Sequence, residues 1–264
     1  MMNHLLDLEK YPLDRPDSSE YAALVEKCRA DLAAKGMFNL PDFFKPGVAQ
    51  AAADMAKPAM DTASFRHARR HNVYFKDAMP GVDDNHPAMV KSNTINHTLC
   101  ADQLNGNPVI DVYEWEPLAD FLAATMGKDK LYPMDDKMAC VNMQATRAGE
   151  GLNWHFDRSE FTTTILLQAP ETGGQLEYRK DLRTADDQNY DGVAAVLAGK
   201  DSEIKQIMPE PGALNVFRGV NTPHRVVPVE GRKDRVIAIF CYYEKPGVAF
   251  TTDEQMGFYG RTVA

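Results

Sequence analysis

The sequence predicts an α+β chain: a double-stranded β-helix core, the jelly-roll architecture, with an N-terminal helical buttress. Three observations carry this. Apolar residues recur at helical spacing through the first third. From about residue 131 the chain breaks into short β-branched and aromatic runs punctuated by Gly and Pro. A His-x-Asp pair, a later histidine and a later arginine fall at strand edges in that second part. The 264 residues suit a single domain, with 1–130 mainly helical support and 131–250 the jelly-roll catalytic core.

The elements follow in order. In "SSEYAALVEKCRADLAAKGMF", Ser18 or Ser19 caps a helix and Gly36 ends it. "KPGVAQAAADMAKPAMDTAS" reads as a second helix, with Pro46 near its start and Pro58 as a break or kink. "RHARRHNVYF" is basic and aromatic, and "DNHPAMVKSNTINHTL" reads as a loop followed by a short helix. "EWEPLADFLAATMG" is a third helix, ending at Gly127. Beyond residue 131, "KMACVNMQAT", "FTTTILLQA", "GQLEYR", "EIKQIMP", "GALNVFR", "HRVVPV" and "RVIAIFCYYE" read as strands of an antiparallel sandwich or barrel. The polar insert 180–202 interrupts them, with a short helix at 190–197, and reads as a lid or surface excursion.

Composition narrows the function classes. Hydrophobic residues are 44% and charged residues 25%, ordinary for a soluble globular chain. A net charge of −9 argues against a nucleic-acid binder, whose affinity rests on Lys and Arg. Cys28, Cys100, Cys140 and Cys241 form no CxxC pair, so they read as free thiols in a reducing compartment. The N-terminus lacks the apolar stretch of a signal peptide, and no apolar run approaches the ~20 residues of a membrane span. A cytoplasmic protein with a small-molecule partner is expected; a homodimer is one arrangement the sequence permits.

His155 and Asp157, in "NWHFDRSEF", stand at i and i+2. On a strand both side chains share a face and can reach one metal. Taken alone, the pair is equally a structural histidine–carboxylate hydrogen bond. His224 is the best third ligand. Two histidines and one carboxylate on one face of a metal leave three positions open, the facial triad of non-haem Fe(II) oxygenases. A keto acid takes two of these and O2 the third. Arg235, eleven residues after His224, offers a bidentate fork to the far carboxylate of such a keto acid. Arg232 is the alternative grip, but "GRKD" reads as a turn.

These pieces, with "GGQLEYR", "PGALNVF" and "GRKDRVIAIFCYYE", resemble the Fe(II)/2-oxoglutarate-dependent oxygenase superfamily over residues 135–245. "RHNVYF", "LYPMDDKMACVNMQATRAGEGLNWHFD" and "YYEKPG" are similar to the small bacterial family that halogenates or hydroxylates free amino acids such as lysine. In its halogenases Gly or Ala replaces the triad carboxylate and chloride takes the position. Asp157 departs from that, so the resemblance implies a hydroxylase using Fe(II), 2-oxoglutarate and O2 on a free amino acid or derivative. Desaturation, cyclisation, halogenation, or a cupin-like metalloenzyme that ignores 2-oxoglutarate are the alternatives.

Ile237 stands where a Ser often helps the arginine, so Asn142 or Gln144 is assigned the second contact to 2-oxoglutarate. Arg158 suits a substrate carboxylate better than a lysine amine, which puts lysine as substrate in doubt. Arg69, Arg70, His71 and Asn72 are further candidates for substrate binding; the bland reading of 66–72 is a solvated helix or loop face. Tyr74 and Tyr132 are candidate pocket liners, Glu177 or Tyr178 a candidate substrate contact, and Trp154 is expected in the core.

Overall fold

The computed structural model describes residues 2–263. In chain order its elements are α1 (Ser19–Lys35), β1 (Met37–Leu40), α2 (Val48–Thr62), β2 (Phe65–His71), β3 (Ser92–Cys100), α3 (Pro108–Glu114) and α4 (Glu116–Met126). Then come β4 (Tyr132–Pro133), β5 (Val141–Thr146), β6 (Leu152–His155), β7 (Thr162–Gln168), β8 (Leu176–Tyr178), α5 (Tyr190–Leu197) and β9 (Lys205–Ile207). The chain closes with β10 (Leu214–Phe217), β11 (His224–Val226), β12 (Arg235–Phe240), β13 (Tyr242–Tyr243) and α6 (Thr252–Tyr259).

A seven-stranded antiparallel sheet in the order β1-β10-β7-β12-β5-β3-β2 faces a four-stranded one in the order β6-β11-β8-β9. This is a double-stranded β-helix. Strand alternation divides the large sheet into a dry face and a functional face. Val141, Met143 and Ala145 of β5 join the helix-covered core, while Asn142 and Gln144 point the other way, into a cavity between the sheets. On β12, Val236, Ala238 and Phe240 enter the core, while Arg235, Ile237 and Ile239 line the cavity. The core continues through Phe38, Phe43, Leu118, Phe121 and Leu122 beneath the helices. Each fully buried Leu or Phe there contributes about 1.5–3 kcal/mol. Trp154 is buried in a smaller cluster with Tyr74, Phe156 and Val193, as expected of a core residue.

Helix α1 begins where Ser18 accepts a hydrogen bond from the Tyr21 amide and ends at left-handed Gly36. Pro58 does not break α2. Pro58 and Asp54, whose carbonyl loses its partner, both lie on the exposed side, where water can take the bond.

The strand system begins well before residue 131. The segment read as a solvated helix or loop, 66–72, is mostly strand β2, and the loop and short helix expected over 84–99 are instead a single 3-10 turn at Pro87–Met89 followed by β3. The physical reason is position. β2 is the edge of its sheet, where charged side chains are common. β3 turns Thr94, Asn96 and Thr98 toward the cavity, so its inward face is polar and hides the strand pattern. Among the described residues, no helix is long and apolar enough to cross a membrane.

Candidate metal centre and its cavity

The pairing of β6 with β11 sets His155 directly opposite His224. Their rings lie 4.2 Å apart, centroid to centroid. Each Nδ1 is held by a backbone carbonyl, at 2.7 Å to Asn153 for His155 and 3.0 Å to Thr222 for His224. These bonds require a proton on Nδ1 and leave each Nε2 lone pair free to coordinate. Both Nε2 atoms point at Asp157 Oδ1, from 3.5 Å and 3.4 Å. One ligand atom from each of the three residues lies within 4.8 Å of the others.

Asp157 reaches this point differently from the sequence expectation. β6 ends at His155, so Asp157 is not on the strand. Its amide donates to the Gly219 carbonyl at 3.2 Å. Thr162 Oγ1 donates to Oδ2 at 2.7 Å and so turns Oδ1 toward the histidines. A Cβ on Gly219 would collide with the Asp157 carboxylate. Gly219→Ala should therefore push the carboxylate out of place and lower metal affinity by about 10–100-fold. An anaerobic Fe(II) titration checks this; wild-type affinity in the variant would refute the positioning role.

Burial disfavours charge on both partners, but their attraction outweighs it. The two imidazoles hold the Asp157 carboxyl well below the usual carboxylate range, and Asp157 lifts His224 above the ordinary histidine value. Metal must displace the His224 proton. Fe(II) affinity should thus fall as pH drops through that raised value, starting above the ~6.5 of a free imidazole. Titrations at stepped pH test the sign: affinity that rises on acidification would contradict it.

The donor set fits a hard-to-borderline divalent metal with open positions. The same cavity, of about 380 Å³, holds Arg235. Its guanidinium is buried, and among the described residues no hydrogen bond or ion pair serves it; its Nε is an orphaned buried donor. Burial without an acid lowers its pKa to about 10. A buried cation without a partner is costly unless an anion completes it. The residues therefore fit a carboxylate-bearing co-substrate beside the metal.

The other site candidates separate. Gln144 lines the cavity across the strand pair from Ile237, next to Arg235's strand end. Asn142 also lines it, but its Nδ2 donates to the Met138 and Val141 carbonyls and its Oδ1 accepts from Tyr259. It has no free group for 2-oxoglutarate. Arg158 lies outside the lining, largely exposed and paired with Glu254 at 3.3 Å. Arg70 faces away and donates to the Lys91 carbonyl. Asn72 is buried but folds its own loop, bonding Tyr74 and Lys76. Tyr74 belongs to the apolar cluster and donates to the Gln188 carbonyl. Tyr132, on β4, and the Glu177–Tyr178 pair do not line the cavity either; Glu177 pairs with Arg225 at 2.7 Å.

His71 lines the cavity, but with both nitrogens used: Nδ1 on the Asn72 carbonyl at 2.8 Å and Nε2 on Thr94 Oγ1 at 2.6 Å. It is a wall, stacked on Phe75 at 4.1 Å. Thr162, Gly219 and Phe75, together with the wall of Phe250, Phe258 and Tyr259, escaped sequence reasoning. Reading 65–71 as a strand would have placed His67, Arg69 and His71 on one face.

Residues 21–256 match the family described as Halogenase D. The chain belongs to the halogenase D family. No curated protein matches it. Similar solved structures include the non-haem alpha-ketoglutarate-dependent epimerase SnoN from nogalamycin biosynthesis, at 12% identity, covering 84% of this chain and 81% of that one, with a TM-score of 0.57. AviO1 from Streptomyces viridochromogenes Tue57 is 18% identical, covering 84% and 96%, with a TM-score of 0.55. A Trichoplax adhaerens prolyl hydroxylase is 12% identical, covering 86% and 94%, with a TM-score of 0.51. At these identities the likeness is one of fold. Family and fold together make this halogenase D member an enzyme on the frame of the 2-oxoglutarate–Fe(II) oxygenases.

Proposed function

We propose that the chain is an Fe(II)- and 2-oxoglutarate-dependent hydroxylase of an unactivated C–H bond in a small molecule, a free amino acid or derivative, releasing succinate and CO2. The observation that carries this is the full His155, Asp157 and His224 set sharing one cavity with an unpartnered Arg235. When bound, Fe(II) with 2-oxoglutarate and O2 supplies the oxidising power to take hydrogen from such a bond. The protein's own residues do the rest. His155, Asp157 and His224 hold the metal and leave one face open. Arg235 fixes the far carboxylate of 2-oxoglutarate. Leu166, Leu176, Phe217, Val226, Ile237 and Ile239 line the cavity and keep water from the reacting atoms.

Halogenation is the second reading, favoured by the family match. Asp157 weighs against it, because its carboxylate occupies the position a halide would need. The deciding experiment supplies Fe(II), 2-oxoglutarate and O2 with an amino-acid panel, with and without chloride, and follows succinate and product mass. Hydroxylated product independent of chloride is expected. Chlorinated product would overturn the hydroxylase reading, and 2-oxoglutarate that fails to bind the metal-loaded protein would overturn both.

A further inference from the structure

The cavity's charges are unequal. Apart from Asp157, which the metal would claim, no acidic side chain lines it among the described residues. Two arginines do, Arg235 and Arg69. With Fe(II) and the 2-oxoglutarate dianion in place, Asp157 and that dianion offset the metal and Arg235. The positive charge of Arg69 is left over.

Arg69 is also the β2 arginine left for an outside anion. Arg66 lies 3.9 Å from Glu150, and Arg70 donates to the Lys91 carbonyl. Arg69 instead rests its guanidinium on the Phe75 ring, 5.2 Å from its centroid, and forms no salt bridge among the described residues; the acid that feels its charge, Asp77, is paired with Lys91 at 2.7 Å. A flat aromatic face orients the guanidinium and leaves its N–H fork open.

Much of the adjoining wall is apolar or already satisfied. Phe75 is 39% exposed and held at φ 56°, a left-handed conformation that non-glycine residues seldom adopt. The Asn72 side chain imposes it by bonding the Tyr74 and Lys76 amides. Such strain persists where it places a side chain that matters. Also on the cavity lining, Phe250 and Phe258 stack at 5.3 Å. Tyr259 gives its hydroxyl to Asn142, so it presents its ring. His71 spends both nitrogens on Asn72 and Thr94. A substrate ammonium would find no carboxylate counter-ion among the lining residues and would have to rely on neutral acceptors such as the orphaned Asn215 amide oxygen.

We propose that the substrate is a monocarboxylate with an uncharged, largely apolar body: Arg69 takes the carboxylate, and Phe75, Phe250, Phe258 and Tyr259 enclose the body. This names the substrate class for the hydroxylase reading and rests on it. Amino acids with neutral side chains, and above all their N-acyl derivatives, satisfy it; basic amino acids do not.

The test is anaerobic calorimetry on the metal-loaded, 2-oxoglutarate-bound protein. The probes are 3-phenylpropanoate, N-acetyl-L-phenylalanine, L-phenylalanine, L-lysine and phenethylamine. The two probes with an unopposed carboxylate, 3-phenylpropanoate and N-acetyl-L-phenylalanine, should bind at least about tenfold tighter than the two with net positive charge, L-lysine and phenethylamine, with zwitterionic L-phenylalanine in between. Arg69→Gln should remove about tenfold or more of that affinity, a loss of about 1.4 kcal/mol, while leaving 2-oxoglutarate affinity unchanged. Lysine binding tighter than the monocarboxylates, an Arg69→Gln variant with unaltered monocarboxylate affinity, or no binding by any monocarboxylate would each overturn the proposal. If 2-oxoglutarate itself does not bind, the hydroxylase reading falls separately, and the acid-against-ammonium comparison is still read on the same protein.

Discussion

Arg235→Met should weaken 2-oxoglutarate binding by about two to three orders of magnitude and raise the melting temperature of the apoprotein in the same variant. The two effects have one cause. In the free protein the guanidinium is buried with no acid to neutralise it, and desolvation lowers its pKa to about 10. Replacing buried ionic groups by apolar ones of similar volume is often stabilising, by about 1–4 kcal/mol. Methionine fits that description among Leu166, Ile237 and Val226, which share the cavity wall. For a chain of this size the gain should appear as a shift of a few degrees, at roughly 2–4 °C per kcal/mol. With 2-oxoglutarate present the balance reverses. Removing one partner of a buried, hydrogen-bonded charge pair costs about 2–5 kcal/mol. Thermal melts with and without 2-oxoglutarate, beside a calorimetric titration of the metal-loaded protein, measure both. A destabilised apoprotein would mean that Arg235 has a structural partner, and unchanged 2-oxoglutarate affinity would remove it from the site.

The sequence carried the candidate iron site more readily than the proposed substrate wall, for a physical reason. Metal coordination admits few residue types, and a barrel fixes where they fall along its strands. Thus His155, Asp157, His224 and Arg235 could be picked out one by one, and the structure brings all four to one cavity. Even there the reasoning was partly right for another cause: Asp157 arrives through Gly219 and Thr162, not through strand alternation. The substrate side depended on facts that spacing does not encode. Arg69 lines the cavity and Arg70 does not because 65–71 is an edge strand, and its charge density masked the alternation. Phe258 and Tyr259 come from beyond the barrel and return to it on α6, and Phe250 lies just before that helix. His71 and Asn142 looked available until their hydrogen-bond partners were known. The regular parts were legible for the opposite reason. Ser18, Gly36 and Gly127 act locally at helix ends, so α1 and α4 could be bounded from their own residues.

Asp157→Gly should cost the enzyme the most, and the pattern of the loss speaks to its family. In the proposed site the carboxylate supplies one metal ligand, and it is the only acidic side chain on the cavity wall among the described residues. Even partners that merely orient a ligand are worth about 10–100-fold in metal affinity. Losing a ligand outright should reach at least the upper end of that range, with turnover falling at least as far. The hole it leaves has a definite chemistry. Two Nε2 atoms and the Thr162 hydroxyl bound it, and Gly219 presents no side chain to fill it. That hole suits a small anion in charge and size. Fe(II) affinity in the variant should therefore rise with chloride, while wild-type affinity should not, because Asp157 already fills the position. Asp157→Asn is the control: it keeps the volume while removing the charge, so it should lose metal affinity without gaining chloride dependence. Anaerobic Fe(II) titrations in chloride and in sulfate at matched ionic strength read this directly. Chloride-independent binding by Asp157→Gly would show that the site cannot take a halide even when the carboxylate is gone. The barrier to halogenation would then lie beyond Asp157, in how Thr162 and Gly219 shape the space around it.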